Sequence, residues 1–291
     1  MPEQMLGHFL RSRDDYTYVM IKKTARRDYM SHIPIALTVA SNDPTGGAGI
    51  IADIKTFHKF NVFGMAAITN LTAQNSQGIH EILEIPPEFL EEQLGSVFSD
   101  VIPYAMKSGM IPSIAMVDIL KKYIKGYDLP FVMDPFIFSK KGDRIIDIEV
   151  QHKLANTLLP YASVVTPNIK ETEAITGIEI NKEVDIKTAA NVFLKEIGVK
   201  SVLINDSQLT GEACDYLFTR TNEVKLSGPI IKSKNLRGVG STFSAVITAE
   251  LAKGKDLEYA FRKAKAFVSK AIEGGINIGK GNGPISHFID F

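Results

Sequence analysis

The chain has 291 residues, 45% of them apolar and 23% charged, ordinary values for a globular domain that buries a large core. Its 33 basic and 33 acidic residues cancel, which argues against a general nucleic-acid binder or a membrane-surface binder. A single cysteine, Cys214, excludes an intramolecular disulfide and a cysteine-rich zinc site and favours a cytoplasmic setting, and no apolar stretch approaches the ~18–20 residues of a membrane span.

Residues 1–30 read as an appendage of mixed charge: a flexible arm, sequence upstream of a start at Met20 or Met30, or an arm that meets a partner. They lack the apolar core of a secretory signal, and their acidic residues do not fit an acid-poor transit peptide. From there to residue 291, strand and helix patterns alternate. Ile33–Ala40 is an apolar run of strand length, and Ile50, Ile51, Ile54 and Phe57 follow at helical spacing. Gly64–Leu71 predicts a second strand. Ala105–Ser108, Phe131–Met133, Ser163–Val165 and Val202–Ile204 predict four more, with helices over Phe89–Phe98, Ile114–Ile124, Val150–Leu159, Lys170–Ile175 and Ile186–Ile197 between them. Asp215–Phe218 and Glu223–Leu226 read as a late hairpin, and Gly240–Lys253 and Leu257–Glu273 as two closing helices. Strands that alternate with helices of this length indicate βαβ units and a mostly parallel sheet, in one domain over 31–291.

In such sheets ligands sit beyond the carboxyl ends of the strands, so residues that follow strands are the candidates. Asn42–Asp53 (NDPTGGAGIIAD) is glycine-rich at a helix start: a close-approach loop for a ligand, or a plain strand-to-helix turn. Gln74 in Thr72–Asn75 offers both donor and acceptor for the edge of a heterocycle, or caps a loop. Asp134 at a strand end and Asn168 with Glu171 after the next strand are oxygen ligands suited to magnesium and phosphate, while Asn168 and Glu171 also have the spacing of a helix-capping box. Arg237–Thr242 (RGVGST) opens a long helix between two glycines, as an anion hole or as ordinary capping.

NDPTGGAGIIADIKTF, NLTAQN, MKSGMI, MDPFIFSKKGD, TPNIKETEAITG, RGVGSTFSAVIT and GNGPISHF occur in this order. Together they resemble the hydroxymethylpyrimidine and phosphomethylpyrimidine kinases of thiamin synthesis, in the ribokinase-like superfamily, over Ile33 to Phe288. The resemblance implies a ribokinase-like three-layer α/β/α fold, often dimeric, that uses ATP and Mg²⁺ to phosphorylate a hydroxymethyl group on a pyrimidine. It places Ala48, Gly49, Asp53, Gln74 and Met110 at the pyrimidine, with Phe136 where the family has a smaller valine. It places Asp134 and Glu171 at the metal and Asn168 near the phosphates.

The phosphoryl side departs from the family. H-G-T-G-C-T becomes Arg237-Gly238-Val239-Gly240-Ser241-Thr242, so a serine stands where the family has cysteine. The lysine of K-G-G-H becomes neutral Asn205. The shaping glycines Gly238 and Gly240 persist, with Thr242 behind them and Arg237 as a candidate replacement charge. Beside the kinase, the same residues leave open a low-turnover pyrimidine-phosphate-binding regulator and a kinase of the pyridoxal type.

Overall fold

Alternating apolar strands and amphipathic helices build a nine-stranded sheet in the computed structural model, which describes residues 33–139 and 142–291. One compact unit spans Pro34–Phe291; the reading of residues 1–30 as an appendage lies outside the described residues. In chain order the strands are β1 (Ile35–Asn42), β2 (Phe63–Asn75), β3 (Gly78–Glu84), β4 (Ala105–Ser108), β5 (Phe131–Met133), β6 (Val164–Val165), β7 (Ser201–Ser207), β8 (Ala213–Thr219) and β9 (Glu223–Gly228). The order across the sheet is β3-β2-β1-β4-β5-β6-β7-β8-β9. The pairs from β2 through β7 are parallel; β3, β8 and β9 are attached antiparallel at the two sides.

The helices are α1 (Gly49–Lys59), α2 (Pro87–Asp100), α3 (Ile114–Tyr127), α4 (Ile148–Thr157), α5 (Ile169–Thr176), α6 (Glu183–Asn191), α7 (Val239–Ala252) and α8 (Leu257–Glu273). They cover both faces of the sheet, and the period-two alternation of the strands divides the core accordingly. Phe131 and Met133 of β5 join Leu94 of α2, Leu120 of α3 and Leu154 of α4 on one face. Val132, between them, joins Phe57 of α1, Phe243 of α7 and Phe261 of α8 on the other. α7 is buried along nearly its whole length, which explains why the segment after Arg237 is so apolar.

Three elements differ from expectation. Thr72–Asn75, read as a loop, continues β2, and β3 was not expected at all. β3 is exposed along most of its length, so it shows no alternation of buried and solvent positions to announce it. Its partner register to β2 shifts between Ala73 and Gln74, and the connecting tip is Ser76–Gln77. The helix expected over Ile186–Ile197 widens into a π turn at Val192–Ile197 and ends at Gly198.

Candidate active site

The carboxyl ends of the parallel strands open into a cavity of about 940 Å³. Its wall includes Ala48, Gln74, Asp134, Phe136, Asn168, Glu171, Asn205, Arg237, Gly238, Gly240 and Ser241. Most of the residues singled out from the sequence thus converge on one space, although they come from segments far apart in the chain.

One wall is the start of α7. Gly238 is its N-cap, with φ of +84°, and a Cβ there would lie 2.0 Å from the Gly47 carbonyl oxygen. Only glycine fits, because the turn before α1 packs directly on this backbone. The first N–H groups of the helix have no acceptor within it and carry the positive end of its dipole. Asp134 meets this wall: its Oδ2 is 3.9 Å from where a Gly240 side chain would begin and accepts a hydrogen bond from Ser244 Oγ at 3.2 Å. Burial raises the pKa of Asp134, while Lys107 beneath it pulls the other way. Ser241 Oγ accepts from Gly49 N–H at 3.4 Å.

The opposite side holds Asn168, Glu171 and Asn205. The capping box expected at α5 is present: Asn168 Oδ1 accepts from Glu171 N–H at 2.9 Å and Glu171 Oε2 from Asn168 N–H at 3.0 Å. Glu171 Oε1 accepts from Ile137 N–H at 3.0 Å. Both carboxylate oxygens therefore already hold backbone, and the residue shapes the cavity by joining α5 to the segment after Asp134. Asn205 donates from its amide to the Thr166 carbonyl at 3.0 Å and fastens the loop that carries Asn168.

Several expected site residues lie behind the wall. Asp53 is fully buried; Lys107 Nζ bonds its Oδ1 at 2.7 Å and Thr38 Oγ1 bonds its Oδ2 at 2.6 Å. It anchors the floor of the site and does not face the cavity. Met110 is buried with its sulfur near the Asn70 amide at 3.8 Å, and Gly49, whose Cβ would meet the Ser41 carbonyl oxygen at 2.3 Å, serves the turn. Thr242 points inward too, where its hydroxyl hydrogen-bonds His287 Nε2 at 3.0 Å. Arg237 reaches the cavity, yet its charge is met: Nη2 bonds Asp43 Oδ2 at 2.7 Å and Nη1 bonds the Asn75 carbonyl. Asp43 also accepts from the N–H groups of Thr45, Gly47 and Ala48, so this ion pair ties the turn before α1 to the tip of β2. Asp43, Lys107 and Ser244 were not anticipated.

His287 gives a pH-dependent marker for this corner. Burial, with Lys55 nearby, lowers its pKa from 6.5 to about 4. The folded chain prefers the neutral ring, whereas the unfolded chain takes up a proton near pH 6.5. Its contribution is therefore complete above about pH 6.5 and is lost as pH falls to about 4, by up to about 3 kcal/mol. His287→Gln is expected to flatten the stability profile in that window, measured as urea midpoints across pH. Parallel wild-type and variant profiles would exclude a titrating His287.

The sequence profile of the family described as phosphomethylpyrimidine kinase matches residues 43–286. The chain is 44% identical over 257 residues to the hydroxymethylpyrimidine/phosphomethylpyrimidine kinase of Staphylococcus aureus strain Mu50, covering 87% of this chain and 93% of the relative. It is 38% identical over 260 residues to the Bacillus subtilis strain 168 protein of the same name, covering 87% of this chain and 94% of that one. Among solved structures, pyridoxal kinase from Staphylococcus aureus in complex with ADP superposes with a TM-score of 0.82 at 30% identity, over 88% of this chain and 94% of that one. Phosphomethylpyrimidine kinase from Clostridium difficile 630 superposes with a TM-score of 0.73 at 34% identity, over 82% of this chain and 99% of that one.

Proposed function

This chain belongs to the phosphomethylpyrimidine kinase family, and we propose that its cavity transfers the γ-phosphoryl group of ATP to hydroxymethylpyrimidine, to its monophosphate, or to both. The observation that carries the reading is the meeting of Asp134 with the glycine-shaped start of α7, in one cavity with Gln74 and Phe136. The pyrimidine lies against Ala48 and Phe136, and the Gln74 amide pairs with its polar edge. The hydroxymethyl oxygen, or for the monophosphate a phosphate oxygen, attacks the γ-phosphorus as the bond to the ADP oxygen breaks; ADP leaves, the hydroxyl proton passes to water, and the transferred group keeps its charge at the Gly238–Ser241 backbone. Ser241 offers a hydroxyl, a poor proton acceptor, so positioning and charge stabilisation account for most of the rate.

Magnesium, when bound with the nucleotide, neutralises phosphate charge. Magnesium is commonly held by one or two carboxylates plus substrate phosphates and water, and the donor set fits that arrangement. No group of three or more His, Cys, Asp or Glu suited to a metal occurs among the described residues. Asp134 is the carboxylate at the α7 wall, while Glu171 orients the backbone beside it. A cytoplasmic homodimer belongs to the same reading, and the exposed Leu71 and Leu83, paired across β2 and β3, supply an apolar patch for the second copy.

The test is purified protein with ATP, Mg²⁺ and three acceptors: hydroxymethylpyrimidine, its monophosphate and pyridoxal. Transfer to a pyrimidine is expected, with Asp134→Ala slower by roughly tenfold or more at an unchanged melting temperature. Preference for pyridoxal would move the chain to the pyridoxal-type reading, for which the structural neighbours provide the motive. Pyrimidine binding without transfer to any acceptor would favour the regulator.

A further inference from the structure

A cavity that holds a polyphosphate needs cations, and the described residues that line this one include three: Arg144, Lys170 and Arg237. Arg237 is neutralised by Asp43, and position 205 is an asparagine whose amide is engaged with the Thr166 carbonyl. The other two differ. Among the described residues, Lys170 Nζ bonds a neutral oxygen, the Gly142 carbonyl, at 2.6 Å. Arg144 Nη1 bonds the Gln151 Oε1 at 2.7 Å and the Ile146 carbonyl at 3.3 Å, again neutral. Each keeps unused donors.

Their placement is electrostatically one-sided. Both charges rest on the same ring: Arg144 Cζ is 4.9 Å and Lys170 Nζ 4.5 Å from the centroid of Phe138. Lys170 is also in the first turn of α5, where the helix dipole disfavours a cation. The nearby cavity carboxylates bond neutral groups: Glu171 two backbone N–H groups, Glu173 the Ile180 N–H through one oxygen, and Asp143 the Ser139 hydroxyl through one oxygen. Two like charges and a helix N-terminus thus gather beside one aromatic ring with no carboxylate ion-paired to either cation among the described residues. An anion brought by the ligand would complete them.

Resting on the kinase reading above, we propose that Arg144 and Lys170, posed by Phe138, are a phosphate-binding pair for the nucleotide. They supply the cationic contact that neither Asn205 nor Arg237 is free to make. The shared chemistry is a phosphate group, and a phosphorylated pyrimidine is its other possible source, so calorimetry with each ligand separates them. Because both side chains are exposed, their truncation leaves the core intact. Arg144→Ala and Lys170→Ala are each expected to weaken Mg-ADP roughly tenfold, the double variant roughly 100-fold, with a shallower dependence on salt. Lys170→Arg should retain most of the affinity. Unchanged Mg-ADP affinity in the double variant would overturn the pair while leaving the kinase reading intact. Loss confined to the pyrimidine monophosphate would overturn the nucleotide assignment. Wild-type protein that binds no Mg-ADP would overturn both the pair and the kinase reading.

Discussion

Gly238→Ala is expected to lower phosphoryl transfer by roughly 100-fold or more, the scale of losing a preorganised donor at a site of developing charge. Two features of the structure set the size of the effect. The φ of +84° is one that side-chain-bearing residues rarely adopt, and the new Cβ would lie 2.0 Å from the Gly47 carbonyl oxygen. Neither group is the end of a flexible side chain, so the relief has to come from backbone. Either the start of α7 turns away from the cavity, or the turn from Asp43 to Ala48 moves. In the proposed arrangement, the first would misdirect the N–H groups assigned to the transferred phosphoryl group, and the second would displace Ala48, assigned to the pyrimidine. Steady-state kinetics with thermal unfolding as a control checks this. A kcat within a few-fold of wild type, in a folded variant, would show that the α7 start does not stabilise the transition state.

How much of this was legible in the chain depends on the range over which each feature is encoded. The parallel strands and the amphipathic helices follow local periodicity, and β4, β5 and α8 occupy the bounds expected for them. The capping box at Asn168 and Glu171 is likewise local, three residues apart, and both of its hydrogen bonds form. β3 escaped because an exposed strand has no buried face to impose alternation. The site's charge pairing escaped for another reason. Asp43 and Arg237 are 194 residues apart, so nothing near Arg237 indicates that its charge is already met. The resemblance placed Asp53 at the pyrimidine, but a motif match alone does not tell a carboxylate that faces a cavity from one buried against a partner behind it. The available signal was Lys107. A lysine in the middle of Ala105–Ser108, a strand with every residue buried, requires an acid nearby.

That lysine carries the second large effect. Lys107 is 1% exposed and Asp53 is fully buried, and the two are 2.7 Å apart. Burial alone raises the pKa of Asp53, and the charge and hydrogen bond of Lys107 are the leading opposing influences. Lys107→Met removes them and leaves a carboxylate in the core with Thr38 as its remaining partner. Breaking a buried pair from one side typically costs about 3–5 kcal/mol, because the orphaned charge stays desolvated. The pH dependence has a definite sign. An acid whose folded pKa is raised further above its ordinary value is favoured in the protonated state, so the folded variant gains as pH falls and loses as pH rises. The deficit should therefore be largest near neutral pH and smaller in mild acid. Lys107→Met with Asp53→Asn removes the orphaned charge and should recover much of the loss. Denaturant unfolding of both variants near pH 7 and near pH 5 measures this. A deficit in Lys107→Met that does not change with pH, or that the Asp53→Asn addition leaves intact, would show that the lysine acts by packing and not by holding Asp53 ionised beneath the site.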